Sequence, residues 1–275
     1  MTHRRPRLAL PFTILTERDT VRLVAGEDFR YTLTGHGLDG WVPDWLAGLN
    51  GKIPFDEALA KLPEAYRTAA GQLLDRLYGE RIVIDGNAAD AHEPTGFLLL
   101  PEGSAAWLES SRHAPRDDPH AEREGYVCLP ALCQDRLDYE EALRFNRRCL
   151  DAGTPWLWAS TGPMSRAYVS PLFLPNAGPC LSCLLYHFRR LSPTPDLYDV
   201  LADHVRAGGA IAPVPFPAPA VAIVQQLLLW KADLAANPEP SAALYRLHVV
   251  EVASLEVTSH RVFVDPECPE CRGRN

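Results

Sequence analysis

Two short cysteine pairs constrain this chain more than any other feature of its sequence. They are Cys180-Leu181-Ser182-Cys183 and Cys268-Pro269-Glu270-Cys271. The C-x-x-C spacing lets two thiolates turn onto one ion, and two such pairs complete a tetrahedral Zn²⁺ site. Because four sulfur ligands leave no open position for a substrate, the sequence predicts a structural zinc held by Cys180, Cys183, Cys268 and Cys271.

The cysteines also allow other interpretations. The pairs could be two unrelated knuckles, a redox C-x-x-C or free thiols, and His187 could replace a sulfur ligand. Cys128 and Cys149 lie in apolar patterns that are typical of buried, inert thiols. Cys133 is the remaining candidate nucleophile, but no neighbouring histidine or helix N-terminus that would lower its pKa is identifiable.

Length and charge limit the class of protein. A chain of 275 residues suits two domains, and its net charge of −8 argues against general affinity for nucleic acid or an anionic membrane. The basic start lacks the apolar region of a signal peptide, and the longest apolar stretch, 218–230, is interrupted by Pro219. We therefore expect a cytoplasmic protein with reduced cysteines, with neither a nucleic-acid nor a membrane partner.

The first part of the chain has the element order of a winged helix-turn-helix. Short segments rich in β-branched and aromatic residues predict an antiparallel meander, and proline-started amphipathic segments predict helices. The predicted strands are 11–16, 20–25, 29–34 and 81–86, and the predicted helices are 42–49, 55–62 and 64–78. The sequence predicts a domain boundary between residues 88 and 89, which gives domains 1–88 and 89–275.

Winged helices bind either DNA or peptides. Residues 1–85 contain eleven Lys and Arg against twelve Asp and Glu, whereas a helix that reads a DNA groove should be more basic. In the peptide-binding alternative, the third strand offers its unpaired edge to an extended segment, and the third helix forms the other wall. The charge balance favours a peptide ligand.

Residues 8–86 resemble the RiPP recognition element, the PqqD-like domain that captures leader peptides of ribosomally made, modified natural products. The resemblance is one of element order and pattern. It implies a binding groove between the third strand and the third helix. The residues that it assigns to peptide binding are Phe29, Arg30, Tyr31, Thr32, Leu33, Arg67, Leu73, Arg76 and Leu77.

The second part of the chain alternates predicted strands and helices. Strands are predicted at 96–100, 126–129, 155–159 and 167–173, and helices at 104–111, 139–152, 181–191, 197–207 and 218–236. A hairpin over 244–252 and 255–264 should deliver the second cysteine pair. The long apolar helix 218–236 is suited either to burial or to packing against another subunit, so a homodimer is one alternative.

Four stretches in this part resemble the ThiF-like adenylating fold. The first is the run from Phe145 to Leu157, and the last is the run from Ser259 to Cys271. Between them lie the run from Ser170 to Pro175 and, two residues later, the run from Gly178 to Leu184 with the first cysteine pair. The ThiF-like proteins of azole-forming peptide clusters, in which a leader-binding winged domain precedes this fold, are the most similar. The resemblance implies an α/β, truncated Rossmann-like domain with a structural zinc after the α+β winged domain.

The sequence departs from the adenylating enzymes where they bind nucleotide. Their phosphate site is a glycine-rich turn between the first strand and helix. Here the corresponding turn is Pro101-Glu102-Gly103-Ser104, with one glycine and an added carboxylate, and the glycine pair Gly208-Gly209 is not preceded by a strand. Neither a Walker motif nor a G-x-S-x-G elbow occurs. We therefore expect no catalytic residues.

These observations favour a non-catalytic partner protein. The resemblance implies that the chain binds the leader of a precursor peptide and presents it to a YcaO-type cyclodehydratase, which forms thiazoline or oxazoline rings with ATP. Two alternatives remain: an ATP-dependent ThiF-like adenylating enzyme that activates a carboxylate, and a zinc-containing winged-helix regulator that binds DNA.

Overall fold

The computed structural model describes residues 4–86, 106–109, 128–237, 239 and 241–271, with backbone alone for 106–109 and 128. The chain divides into two compact units, Met1–Pro94 with Ala212–Val214, and Thr95–Ile211 with Pro215–Asn275. In the first unit the backbone N–H of Ala212 donates to Thr13 Oγ1 at 2.9 Å. The sequence did not predict that residues 212–214 belong to the first unit. The predicted domain boundary between residues 88 and 89 lies outside the described residues.

Five strands form two small sheets in the first unit. These are β1 (Pro6–Leu8), β2 (Thr13–Glu17), β3 (Thr20–Ala25), β4 (Phe29–Thr34) and β5 (Val83–Asp85). The order β2-β3-β4 is antiparallel throughout, as predicted. In β3 the alternate residues Val21 and Leu23 are buried in the core. β1 pairs with β5 in a second antiparallel sheet. The sequence pattern predicted β5 but not β1.

The predicted helices of the first unit are present. They are α1 (Val42–Ala47), α2 (Phe55–Ala60) and α3 (Glu64–Gly79). Pro54 and Pro63 precede α2 and α3, where a residue without an N–H costs no hydrogen bond of the helix. α3 buries one stripe, Ala70, Leu74 and Leu77, and this stripe holds the helix on the core of the unit.

The second unit contains a mixed sheet whose described strands follow the order β11-β10-β9-β8-β7-β6. The strands are β6 (Ala106–Glu109), β7 (Cys128–Gln134), β8 (Leu157–Ser160), β9 (Arg166–Val169), β10 (Arg246–Glu251) and β11 (Val257–Arg261). Among them only β7 and β8 are parallel neighbours, and the predicted β-α-β order accounts for that pair. The hairpin β10–β11 was also predicted.

The helix predicted at 104–111 is wrong. Within it, Ala106–Glu109 is β6, which pairs antiparallel with β7, from Ala106 opposite Ala131 to Glu109 opposite Cys128. Pairing with a neighbouring strand, which a local pattern does not reveal, decides the conformation here. The strand predicted at 96–100 lies outside the described residues.

Four helices complete the second unit as described: α4 (Tyr139–Ala152), α5 (Leu181–Leu191), α6 (Asp196–Arg206) and α7 (Ala218–Ala235). Asp138 caps α4 by accepting from the N–H of Glu141 at 2.8 Å, and Gly153, with φ of 66°, ends it. One side of α7 is buried against the sheet through Ala220, Val224 and Leu228. None of the described helices has both the length and the apolar character needed to cross a membrane.

Candidate peptide groove and metal centre

The outer edge of β4 carries no further strand among the described residues. Gly35 donates its N–H to the carbonyl of Asp19, so these opposite residues form a hydrogen-bonded pair. Because such pairs alternate along an antiparallel ladder, Leu33 and Tyr31 bond back to β3, whereas Thr32 and Thr34 turn their N–H and C=O groups outward. β4 therefore presents a row of backbone groups to which an extended chain could bond.

A cavity of about 180 Å³ lies between this edge and α3. Four of the predicted peptide-binding residues line it, and four residues outside that predicted set complete the lining. The predicted four are Thr32, Leu33, Leu73 and Arg76, and the others are Thr34, Leu38, Trp41 and Ala69. The groove is thus built from an open strand edge, the apolar side chains of Leu38, Trp41 and Leu73, and the cation of Arg76.

Tyr31, Arg76 and Glu80 lie near one another in this unit. Arg76 Nε donates to Glu80 Oε1 at 3.0 Å, one helical turn further along α3. The hydroxyl of Tyr31 is buried and lies beside the carboxylate of Glu80. Burial, and secondly the nearby carboxylate of Glu80, raises the pKa of Tyr31, so this phenol remains a neutral donor.

The other predicted peptide-binding residues are placed differently. Phe29 begins β4 and is 46% exposed, and Arg30 is half-buried. The guanidinium of Arg67 donates to the carbonyls of Leu62 at 3.0 Å and Ala60 at 3.2 Å, and it thereby caps the C-terminal end of α2. Leu77 is 0% exposed, and a peptide in the groove would not contact its side chain. The resemblance thus assigned to peptide binding a core residue, Leu77, along with a groove residue, Leu73.

A second cavity in the same unit, of about 370 Å³, was not anticipated from the sequence. The rings of Trp41 and Tyr66 stack at its side, with centroids 5.4 Å apart and an interplanar angle of 12°. The Trp45 indole N–H donates to the carbonyl of Ala58 at 3.0 Å, which fixes that ring between α1 and α2. Single tryptophans in a short helix gave no periodic signal from which this cavity could be predicted.

In the second unit the two cysteine pairs meet. The Sγ–Sγ distances are 4.0 Å for Cys180–Cys183, 3.7 Å for Cys180–Cys268 and 3.6 Å for Cys183–Cys271, and all four sulfur atoms lie within 4.8 Å of one another. Cys180 is the N-cap of α5 and Cys183 lies in its first turn, while Cys268 and Cys271 follow β11 in a pair of turns.

The sulfur geometry fits a tetrahedral metal. Zn–S bonds of about 2.3 Å place the corners of a tetrahedron about 3.8 Å apart, close to the three distances above. A disulfide would need sulfurs about 2.05 Å apart. His187 is not part of the set, because its Nε2 lies 3.0 Å from the carbonyl oxygen of Phe263.

Polar contacts position the segments that carry the sulfurs. The thiol of Cys180 and the N–H of Asp265, which lies 3.4 Å from Sγ, lower the pKa of Cys183. Asp265 is buried and pairs with Arg190 at 2.7 Å. Arg147 on α4 pairs with Glu270, between the last two cysteines, at 3.3 Å. The surroundings thus favour at least one thiolate, the form that binds metal.

The candidate nucleophile has the wrong environment for that role. Cys133 lies within β7, opposite Ala159, whereas the strand predicted at 126–129 would have ended before it. Burial raises its pKa to about 12, and burial raises that of Cys149 to about 11. A thiol with so high a pKa is almost fully protonated near neutral pH, whereas the thiolate is the nucleophile.

The glycine pair predicted to be unsuited to phosphate has a structural role. Gly208 has φ of 88° and donates to the carbonyl of Val205, while Gly209 donates to that of His204. These two bonds form the Schellman motif that ends α6. The turn at residues 101–104 lies outside the described residues.

No model of a known protein family matches the sequence, and no curated protein matches it. Three solved structures illustrate its structural similarities. The heterocyclase TruD is 19% identical over 98% of this chain and 43% of its own, with a TM-score of 0.38. A heterocyclase in complex with substrate and cofactor is 16% identical, with a TM-score of 0.41, and the match covers 98% of this chain and 39% of the heterocyclase. E. coli MccB is 16% identical over 54% and 41%, with a TM-score of 0.36. The chain spans about two fifths of the length of these proteins.

Proposed function

We propose that this chain captures the leader segment of a ribosomal precursor peptide and presents it to a YcaO-type cyclodehydratase. The open edge of β4 beside the groove of about 180 Å³ carries the proposal. The resemblance of residues 8–86 to a RiPP recognition element, a winged domain, agrees with it. The near balance of charges in this unit favours a peptide over DNA.

Strand addition is the binding mode that the groove allows. An extended leader would exchange backbone hydrogen bonds with Thr32 and Thr34, and every second side chain would turn toward Leu73 on α3. Backbone bonds supply affinity without regard to sequence, while the floor selects apolar side chains. The guanidinium of Arg76, which lines the groove, would position polar groups of the leader.

The contribution to ring formation would be positional. Holding the leader beside the partner enzyme makes encounter of the core peptide with that active site intramolecular, which raises its effective concentration. The ATP-dependent chemistry belongs to the partner in this proposal. It agrees with the raised pKa values of Cys133 and Cys149 and with the structural role of Gly208-Gly209.

We propose that the four-cysteine cluster holds Zn²⁺. The ion would supply a closed tetrahedral link and no reacting group. Cys180 and Cys183 would bind it from the start of α5, and Cys268 and Cys271 from the segment after β11. The metal would thereby fix the last described residues to the unit's helices, which is the role of a structural ion in a truncated, ThiF-like domain.

A selection experiment with the full chain tests peptide capture. The immobilised protein is panned against phage-displayed random linear peptides, and an enriched sequence is synthesised with a fluorophore for anisotropy titration. In Thr32→Pro, a donor N–H of the open edge is lost without breaking the β3 ladder. We expect about tenfold or greater loss of affinity, as for losing one to two well-made hydrogen bonds.

Thr16→Pro is the matched control. Thr16 is also exposed, and it lies on β2, the opposite edge of the same sheet, with its backbone groups turned outward. This variant should bind the peptide like the wild type. Failure to enrich any peptide, or equal losses in the two variants, contradicts strand addition at β4. Pyrophosphate exchange by the isolated chain would instead favour the adenylating enzyme.

A further inference from the structure

The first unit contains an apolar cavity that the leader groove does not explain. Its walls come from the α1 and α2 region and from the start of α3, and its volume is about 370 Å³. Leu49, Ala58 and Leu62 form a buried floor, and half-buried Ile53 lies at the side. The charged residues that line it, Asp44 and Lys61, are exposed and opposite in sign, so the cavity has no net charge to attract an ion.

Trp41 connects this cavity to the leader groove. It lines both cavities, and its ring stacks on Tyr66. α3 provides one wall of each: Ala69, Leu73 and Arg76 line the groove, and Tyr66 lines the second cavity. Moving toward the start of α3 along the groove therefore leads past Trp41 into the second cavity.

We propose that this cavity is an anchor site for one large apolar side chain, preferably aromatic, of the same peptide that pairs with β4. The inference rests on the proposed function, and continuity through Trp41 is the reason to assign the same occupant. Engineered cavities of about 150 Å³ bind benzene, so about 370 Å³ leaves room for an indole or a phenyl ring. The stacked pair offers ring faces and edges to such a group.

The spacing between the two sites is set by the helix. Leu73 and Tyr66 are about two turns apart on α3, or about 10 Å along its axis. An extended peptide covers that distance in about three residues. The anchor side chain is therefore expected about three positions outside the segment that pairs with β4. The peptide motif is then a short extended segment and a separate aromatic residue at fixed spacing.

The selected peptides provide the probe. Among sequences enriched on the wild-type chain, an aromatic residue should recur about three positions from the strand-pairing segment. Changing that residue to alanine should weaken binding to the wild type about tenfold or more, the usual effect of removing a buried aromatic side chain. The same change should have little effect on binding to Ile53→Glu, because a carboxylate in the apolar cavity already excludes the ring.

Ile84→Glu is the matched control, since Ile84 is a half-buried isoleucine of the same unit that lines neither cavity. Tyr66→Ala is a second variant, and its folding cost should be small because Tyr66 is 41% exposed. In this variant too, replacing the peptide's aromatic residue by alanine should cost less affinity than in the wild type. Circular dichroism establishes that each variant is folded.

The outcomes separate the two proposals. Peptides that enrich and depend on Thr32, but show no recurrent aromatic residue, overturn the anchor site and leave peptide capture intact. An aromatic residue whose replacement costs as much in Ile53→Glu and Tyr66→Ala as in the wild type also overturns the anchor site. If no peptide enriches on the full chain, both proposals are wrong.

Discussion

The sulfur atoms of Cys180 and Cys268 lie 3.7 Å apart although the two residues are 88 positions apart in the sequence. Cys268→Ser should therefore remove a metal ligand and reduce bound zinc from about one ion per chain to nearly none. Because binding to the folded state alone stabilises it, the loss is about 4 kcal/mol at a free zinc concentration of 1,000 times Kd. Elemental analysis and thermal melting measure the two effects.

Cys149→Ser is the control for the loss of a buried thiol. Cys149 is buried like Cys268 but does not belong to the four-sulfur cluster. It should lose stability through packing and retain its zinc. A Cys268→Ser protein with full zinc content would contradict the proposed ligand set.

Thiol reactivity distinguishes an inert Cys133 from a nucleophile. With zinc bound, iodoacetamide at pH 8 should modify neither Cys133 nor Cys149, because burial raises their pKa values to about 12 and 11. A chelator should release the four cluster thiols for alkylation before these two. Peptide mass mapping after short exposure measures the order. Rapid modification of Cys133 in the zinc-loaded protein would restore it as a candidate for covalent catalysis.

The sequence predicted features that local patterns determine. Helical periodicity identified α3, and the cysteine spacing identified the four residues that the fold brings together. Neither that periodicity nor the resemblance could separate Leu73, which lines the groove, from Leu77, which is buried. The side of a helix that meets the core depends on the elements packed against it.

Features built by distant partners were missed for the same physical reason. β6 forms by pairing with β7, and β1 forms by pairing with β5. The aromatic cavity depends on Trp41 meeting Tyr66 across a turn and a helix. Neither residue has a spacing that predicts a site, so only the tertiary structure identifies it.

Lys231 illustrates a core residue that composition alone would place on the surface. It is 0% exposed, and its Nζ donates to the carbonyls of Ser170 at 2.6 Å, Arg246 at 2.5 Å and Leu244 at 3.4 Å. Lys231→Met should lower the free energy of unfolding by about 3 kcal/mol, because carbonyls lose a buried donor. Urea denaturation of the variant and the wild type measures this difference in the free energy of unfolding. Lys52→Met, at an exposed position, should change stability by about 0.5 kcal/mol or less.

His248 should make stability depend on pH. Burial, and then the positive charges of Lys231 and Arg246, lower its pKa to about 4 from 6.5. Between these values the unfolded chain binds a proton that the folded chain does not, so the free energy of unfolding falls as pH falls from 6.5 to 4. We expect His248→Gln to reduce this loss by about 2 kcal/mol. Urea titrations at several pH values compare the two proteins, and equal slopes would contradict the assignment.

A reconstituted reaction links the β4 edge to ring formation. With a YcaO-type cyclodehydratase and its precursor, Thr32→Pro should raise KM for the leader-bearing substrate about tenfold and leave kcat nearly unchanged, because the variant weakens capture and leaves the partner's chemistry alone. Turnover of a core peptide without a leader should be the same with either protein. Mass spectrometry follows the loss of one water per ring formed.

Thr16→Pro should behave like the wild type, since the outward groups of β2 lie on the other edge of the sheet. A fall in kcat with unchanged KM in Thr32→Pro would mean that the strand edge contributes to the partner's active site and not to capture of the leader.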